Sequence, residues 1–300
     1  MPTARSALEP KPVNRPWWVA AVLGLSLPLF VWVSRMAPLA QDPAYHQFAD
    51  QRRLFGVPHF WNVMSNLPFA VIGLMGCCWL IQAGKKSTAF AEPGERIAYF
   101  VFFIGEFLTC FGSAYYHAQP SNATLVWDRL VFSLMLTSFF AIVVTEFVSL
   151  RGGKLSLAPM VLLGLYSVLY WNWSESVGHG DLRLYVLVQL YPVIVTPLIM
   201  LLFRSRYTRG GAFLLTWAVF GLAKACEYYD PAIYALTGFW SGHTFKHLVA
   251  AGASLLPLYA LRHRLQVPAP SFLVGATQCV QAQSPPARRL AQGADGGMPC

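Results

Sequence analysis

The 300-residue chain is 56% hydrophobic and only 12% charged, whereas a soluble domain carries about 25% charged residues. Half the usual charge cannot cover a water-exposed globule, so most of the chain is expected to face lipid. The net charge of +9 comes from lysines and arginines scattered between apolar runs. Because they form no basic stripe, nucleic acid is not an expected partner. The six cysteines include no C-x-x-C pair, which argues against thiolate zinc sites and a disulfide framework.

A spanning helix needs about 20 mostly apolar residues, and eight stretches of the chain meet this requirement. The predicted helices run approximately over Trp17–Ser34, Asn62–Ala83, Arg96–Ala118, Leu125–Val148, Leu155–Trp173, Leu182–Phe203, Gly211–Tyr229 and His243–Arg262. The first stretch follows three basic residues, as a signal peptide would, but Pro28 interrupts it and no small-x-small cleavage site follows. We therefore favour an uncleaved first helix.

The predicted fold class is all-α: a polytopic membrane protein with a seven-helix bundle preceded by one extra N-terminal transmembrane helix. Residues 1–61 would contain a cytoplasmic segment, the extra helix and an outer loop. Residues 62–262 would form the seven-helix bundle. Residues 263–300 are rich in proline, alanine, glutamine and glycine and are predicted to form a disordered cytoplasmic tail.

Basic residues predict the orientation of the bundle. If the N-terminus is cytoplasmic, fourteen lysines and arginines lie on the inside and only three, Arg35, Arg52 and Arg53, lie on the outside. Such a bias follows the positive-inside rule. Both termini are therefore expected to be cytoplasmic, in an arrangement compatible with a bacterial inner membrane.

Polar residues are predicted to meet at one end of the bundle. Ser113 and His117 are four residues apart and share one face of the third helix near its outer end. The eighth helix begins with a pair of histidines, again four residues apart. The helix directions bring six polar residues to one depth near the outer face: Ser65, Ser113, His117, Asp128, His243 and His247.

Three histidines leave one position free on a tetrahedral zinc ion, which is the ligand number of a catalytic site. We therefore predict that these histidines bind Zn²⁺, with a water of pKa about 7 in the fourth position. Asp128 would accept a proton or orient an imidazole, and Ser113 would hydrogen-bond a substrate carbonyl. Each residue also has a simpler interpretation. The histidines could be interfacial, Asp128 could cap its helix or pair with Arg129, and Ser113 could bond to its own backbone.

Three further residues are possible accessory members of the site. Ser65 and Asn66 begin the second helix at the same end, and Glu227 lies at the outer end of the seventh. Glu227 is three residues from Lys224, so the two are expected to pair. Glu106 lies about 16 Å below His117 by helix rise and is expected to be a protonated, buried carboxyl.

Four motifs resemble the alkaline ceramidases in their order and spacing. They are Phe60-Trp61-Asn62-Val63-Met64-Ser65-Asn66, Gly112-Ser113-Ala114-Tyr115-Tyr116-His117, Asp128 and His243-x-x-x-His247. That family belongs to a superfamily of seven-helix membrane hydrolases that includes the adiponectin and progestin receptor-like proteins. The resemblance covers roughly residues 59–262 and suggests a bacterial member.

The resemblance implies a zinc amidase that cleaves ceramide to a sphingoid base and a fatty acid. It implies that His117, His243 and His247 are metal ligands. It also implies that Asp128 is the active-site aspartate and Ser113 the active-site serine. The chain departs from the family where its eukaryotic members bind calcium through an acidic segment and a glutamate before Phe-Trp-Asn. Here His59 takes the glutamate position and only Asp50 offers an acid nearby. Calcium dependence is therefore not expected, and the chemistry is better supported than the ceramide specificity.

Three functions follow from these patterns. The leading hypothesis is a zinc-dependent membrane hydrolase of ceramide or a related N-acyl lipid, with a membrane lipid as its partner and no protein partner indicated. The second is a lipid-sensing receptor of the same superfamily with little or no hydrolase activity. The third is a transporter that uses Glu106, Lys224 and Glu146 as a polar path. It ranks low because the densest polar cluster lies at one end.

Overall fold

The chain is all-helical in a computed structural model that describes residues 16–83 and 89–267. The described residues form no β-strand and only two isolated bridges, Leu54–Val57 and Tyr207–Gln266. This confirms the predicted all-α class. The predicted inside loop with Lys85 and Lys86, the first 15 residues and most of the predicted tail lie outside the described residues.

Ten α-helices follow one another within the described ranges. They are α1 Pro16–Arg35, α2 Phe60–Met64, α3 Leu67–Ala83, α4 Arg96–Ala118, α5 Asn122–Val143, α6 Leu150–Ser176, α7 Arg183–Leu202, α8 Gly211–Tyr228, α9 Asp230–Thr237 and α10 Gly242–His263. A π-helical turn, Val144–Val148, extends α5. The second predicted helix differs from the observed one, because the chain breaks at Ser65 and Asn66 between α2 and α3. Helix α9 is an addition that the apolar pattern did not indicate.

Within the described part of the chain, five helical stretches are long and apolar enough to cross a membrane, judged by length and composition. They are Phe60–Ala83, Pro93–Ala118, Asn122–Val148, Leu150–Ser176 and Arg183–Leu202. Helices of this kind are typical of a membrane protein, while the predicted total of eight spanning helices stays a prediction. In the stretch that contains α5, 67% of the apolar window is buried, against 22% in α6. Helix α5 is therefore central and α6 peripheral.

Small residues bring the helices that carry the candidate site into close contact. A Cβ atom on Gly112 of α4 would lie 2.7 Å from the backbone oxygen of Trp127 on α5. A Cβ on Gly242, the first residue of α10, would lie 2.1 Å from the backbone oxygen of Cys226 on α8. Only glycine permits both approaches without displacing backbone. These two contacts fix the neighbours of Ser113 and His243.

A buried polar network closes the opposite end of the bundle. Arg264, just after α10, forms an ion pair with Glu146 of the π-helical turn, and Tyr99 of α4 donates a hydrogen bond to the same carboxylate. The first residues of the predicted tail are therefore ordered, because Arg264 is buried. Glu146, which was considered as part of a polar path in a transporter, is therefore paired with Arg264.

Candidate metal centre

Three histidines from two helices form one buried group. His117 lies in the last turn of α4, while His243 and His247 occupy the first two turns of α10. The ring centroids are 4.7 Å apart for His117 and His243 and 4.8 Å apart for the other two pairs. All three residues are at least nine-tenths buried. The spacing of four residues on α10 therefore places both rings against the end of α4, as a helical face requires.

The geometry of the group suits a tetrahedral metal ion. Zinc–nitrogen bonds of about 2.0–2.1 Å in tetrahedral geometry separate two ligand nitrogens by about 3.3–3.4 Å. The Nε2 atoms of His117 and His243 are 3.2 Å apart, and one ligand atom from each of the three residues lies within 4.8 Å of the others. Among the described residues, no hydrogen-bond partner reaches the buried His247 Nε2. The group can thus bind a metal ion, and a free nitrogen of His247 is available for it.

Ser65 fixes the orientation of His247. The Ser65 hydroxyl is 2.8 Å from His247 Nδ1, and both residues are buried. Such a partner on one ring nitrogen leaves the other free as a ligand. The break between α2 and α3 makes this contact possible, since it presents Ser65 toward α10. Asn66 behaves differently, because its side-chain nitrogen donates to the backbone oxygen of Asn62, 2.7 Å away, on its own chain segment.

Ser113 and Asp128 lie together beside the histidines. The Ser113 hydroxyl lies close enough to the Asp128 carboxyl to interact with it, and both side chains line the same cavity as His247. Asp128 does not cap its helix, because Ser121 is the N-cap of α5 and accepts a bond from the backbone of Thr124. The predicted serine and aspartate therefore lie in one cavity with a histidine of the metal group.

The cavity has a volume of about 440 Å³ and lies between α4, α5, α7, α8 and α10. Its polar end contains Ser113, Asp128 and His247. On each of three helices, a residue at the polar end and a residue at the far end of the cavity lining are eleven positions apart, which is about 16 Å of helix rise. The pairs are Ser113 and Phe102, Asp128 and Phe139, and Glu227 and Thr216. The distant part is lined mainly by apolar and aromatic side chains: Phe102, Phe132, Met135, Phe139, Trp217 and Phe220. The site is thus a polar head on an apolar compartment.

Glu227 lies in the wall of this cavity and is not a member of the histidine group that could hold a metal ion. It pairs with Lys224, as the sequence indicated, and its other oxygen is 2.6 Å from the ammonium of Lys246. The Lys246 nitrogen is also 3.4 Å from His243 Nε2. Lys246 was not singled out from the sequence, although its position between the two histidines of α10 puts it at the same helix end.

Residues 36–59 cover the histidines from outside the bundle. The ring of Phe48 packs 4.7 Å from the rings of both His117 and His243 and is 5% exposed. Asp230, the first residue of α9, connects this segment to α10. Its carboxylate accepts one bond from the backbone nitrogen of Ala49, 2.9 Å away, and another from that of His243, 2.6 Å away. The two contacts hold the segment that places Phe48 against the histidine rings.

An ion pair stabilises the same segment. Arg52 contacts Asp50 at 2.7 Å and also donates to the backbone oxygen of Phe239. Burial alone would raise the pKa of the Asp50 carboxyl, but hydrogen bonds from the Arg52 side chain and backbone outweigh it and hold that pKa below its ordinary value. Asp50 is the one acid near the position where the eukaryotic alkaline ceramidases have their calcium-binding segment. Its carboxylate is therefore already paired with Arg52.

Comparisons with known proteins add no family to this description. No family model matches the chain, and no curated protein sequence matches it.

Proposed function

We propose that the chain is an integral-membrane, zinc-dependent amidase that hydrolyses ceramide or a related N-acyl lipid to a free amine base and a fatty acid. The observation that carries this proposal is the single cavity that joins Ser113, Asp128 and His247 to an apolar compartment. A lipid amide needs both parts, because its acyl chain requires burial while its carbonyl requires polar groups. The motif resemblance to the alkaline ceramidases agrees with this assignment.

Zinc is the proposed metal because three imidazoles and one open position suit it better than calcium or magnesium, which prefer oxygen ligands. When bound, zinc supplies Lewis acidity and lowers the pKa of a water to about 7. The ligands would be His117, His243 and His247, which fit the ion by separation and burial. Ser65 keeps His247 in the orientation that offers Nε2.

The chain's own residues have complementary roles in the proposed reaction. In the proposed reaction the Asp128 carboxylate would accept a proton from the attacking water and return it to the leaving amine. The Ser113 hydroxyl would hydrogen-bond the carbonyl oxygen as negative charge develops on it. Phe48 covers the histidines and limits the access of bulk water. The aromatic compartment would hold the acyl chain.

The loop charges and apolar helices support a location in a bacterial inner membrane, with both termini cytoplasmic and the site near the outer face. The proposed reaction then takes place at the periplasmic leaflet, where the amine product is released.

Fatty-acid release tests the proposal. Purified protein in detergent is loaded with zinc, incubated with N-acyl lipids that include ceramide, and compared with an Asp128→Asn variant. We expect release by the wild type and a loss of at least about 100-fold in the variant. Wild-type turnover that survives unchanged in the variant would contradict the assigned role of Asp128. Saturable lipid binding without any turnover would instead favour the receptor alternative.

A further inference from the structure

Arg129 is a buried cation in the wall of the cavity. The residue is 6% exposed and follows Asp128 on α5, so it lies at the polar end. Its Nη2 atom donates to the Gln41 side-chain oxygen. Within residues 16–83 and 89–267, Arg129 forms no ion pair, and its buried Nη1 atom has no hydrogen-bond partner.

Aromatic rings hold the Arg129 guanidinium without neutralising it. Its central carbon lies 4.1 Å from the ring centroid of Trp171, 4.6 Å from that of Tyr185 and 5.7 Å from that of Tyr45. Cation–π contacts of this kind orient a guanidinium but leave its charge and its N–H donors available. A buried cation is unfavourable unless an anion compensates it. The missing partner is therefore expected to come from a ligand in the cavity.

The other charges in the cavity point the same way. The wall contains three cationic side chains, those of Lys224, Lys246 and Arg129. It also contains two carboxylates, those of Asp128 and Glu227. Three positive and two negative side chains leave one net positive charge, and a bound zinc ion would add two more. Glu227 is shared between two lysines, so it does not offset Arg129. Asp128 interacts with the charges of both Lys246 and Arg129, but within the described residues it forms no ion pair with Arg129.

We propose that Arg129, assisted by Lys246, binds an anionic head group on the amine side of the scissile amide, so that the substrate is an N-acyl lipid with a carboxylate or a similar oxyanion. The inference rests on the proposed function for the position of the amide. Arginine is suited to this task because its planar N–H groups match the two oxygens of a carboxylate. The acyl chain then occupies the apolar compartment, while the head group lies at the polar end between Arg129 and Lys246.

A matched pair of substrates tests the head group. N-palmitoylglycine and N-palmitoylethanolamine share the acyl chain and the amide and differ in a carboxylate against a hydroxymethyl group. We expect the wild type to have a kcat/KM at least about 10-fold higher for N-palmitoylglycine. Arg129→Gln should lower that value by about 10- to 100-fold, mainly through KM, and change the ethanolamine value by less than about 3-fold. A merely structural role for Arg129 would lower both values equally and would overturn the inference.

Two controls address folding and charge. Arg183→Gln removes an arginine that pairs with Asp181 and lies outside the main cavity, so it should leave the preference unchanged. Arg129→Lys keeps the positive charge but loses the paired N–H groups, and it should retain part of the preference for the carboxylate. An equal preference in wild type and Arg129→Lys would contradict the role assigned to the guanidinium.

Binding separates this inference from the proposed function. Hexadecylsulfonylglycine and its ethanolamine counterpart carry a sulfonamide in place of the amide, so the full-length protein in detergent can bind them without hydrolysis. We expect calorimetry to show tighter binding of the glycine compound, with the difference lost in Arg129→Gln. That result with no turnover of any N-acyl lipid would reject the amidase and keep the anion site. Turnover with no effect of Arg129→Gln on either compound would keep the amidase and reject the anion site. Inorganic phosphate is the probe for a free small anion, and its displacement of the glycine compound would overturn the assignment to a lipid head group.

Discussion

Replacing Ala253 by phenylalanine is expected to shorten the acyl chain that the cavity accepts. Ala253 is buried and lines the cavity from α10, six residues beyond His247 and so about 9 Å deeper by helix rise. The cavity continues to the level of Phe102, about 16 Å from Ser113. A phenylalanine ring at position 253 would therefore close off about the last 7 Å of the compartment.

The magnitude follows from the burial of methylene groups. A palmitoyl chain has four more methylenes than a lauroyl chain, and each buried methylene contributes about 0.8 kcal/mol. The wild type should therefore favour the palmitoyl amide by up to about 3 kcal/mol, or about 200-fold in kcat/KM. In Ala253→Phe the last methylenes of the palmitoyl chain are no longer buried in the cavity. We therefore expect kcat/KM for the two amides to differ by less than about 3-fold.

The assay is fatty-acid release from two amides that differ only in acyl length, measured for purified wild type and variant. Ala225→Phe is the matched control, because Ala225 is exposed on α8 and does not line the cavity. It should keep the wild-type preference. If Ala253→Phe binds metal and melts like the wild type yet retains the full preference for the palmitoyl amide, the apolar compartment is not the acyl site.

Further predictions concern the surroundings of the metal group. Ser65→Ala removes the bond to His247 and should weaken zinc binding by about 10- to 100-fold in a competition titration; an unchanged affinity would reject the positioning role. Because Arg52 holds the pKa of Asp50 below its ordinary value, Asp50→Asn should lower the melting temperature above about pH 4. That difference should shrink as the pH falls through the folded-state pKa, since protonation removes the same ion pair, and a pH-independent difference would contradict this. Asp230→Asn leaves one buried backbone donor unpaired, at a cost of about 1–3 kcal/mol, and should lower kcat/KM with little change in KM; a pure effect on melting temperature would limit Asp230 to a structural role.

The sequence predicted those features that depend on helical periodicity. His243 and His247 are four residues apart, so their shared face could be read directly, and the direction of α4 placed His117 at the same end. Hydropathy located the long helices, because a run of about twenty apolar residues in a membrane protein is typical of a spanning helix. The bounds of α4 agree with the prediction, Arg96–Ala118.

Features that depend on tertiary contacts could not be predicted in this way. Phe48 lies in an irregular segment, where no period relates it to the histidines it covers. Asp230 accepts bonds from two backbone nitrogens, and a sequence does not show which backbone groups lack partners. A pairing of Asp128 with Arg129 was the simpler interpretation of Asp128. The two form no ion pair within the described residues, because adjacent residues on a helix point in different directions. Lys246 could have been found, since a lysine between two histidines at an apolar helix end is unusual.

Metal content tests the central claim most directly. The wild type, His243→Ala and His179→Ala are purified after growth with zinc, and bound metal is measured by elemental mass spectrometry. His179 is an exposed histidine in the loop before α7, so its replacement controls for adventitious binding. We expect one zinc ion per chain in the wild type and in His179→Ala, and none in His243→Ala. Full zinc occupancy in His243→Ala would contradict a metal centre built from the three histidines.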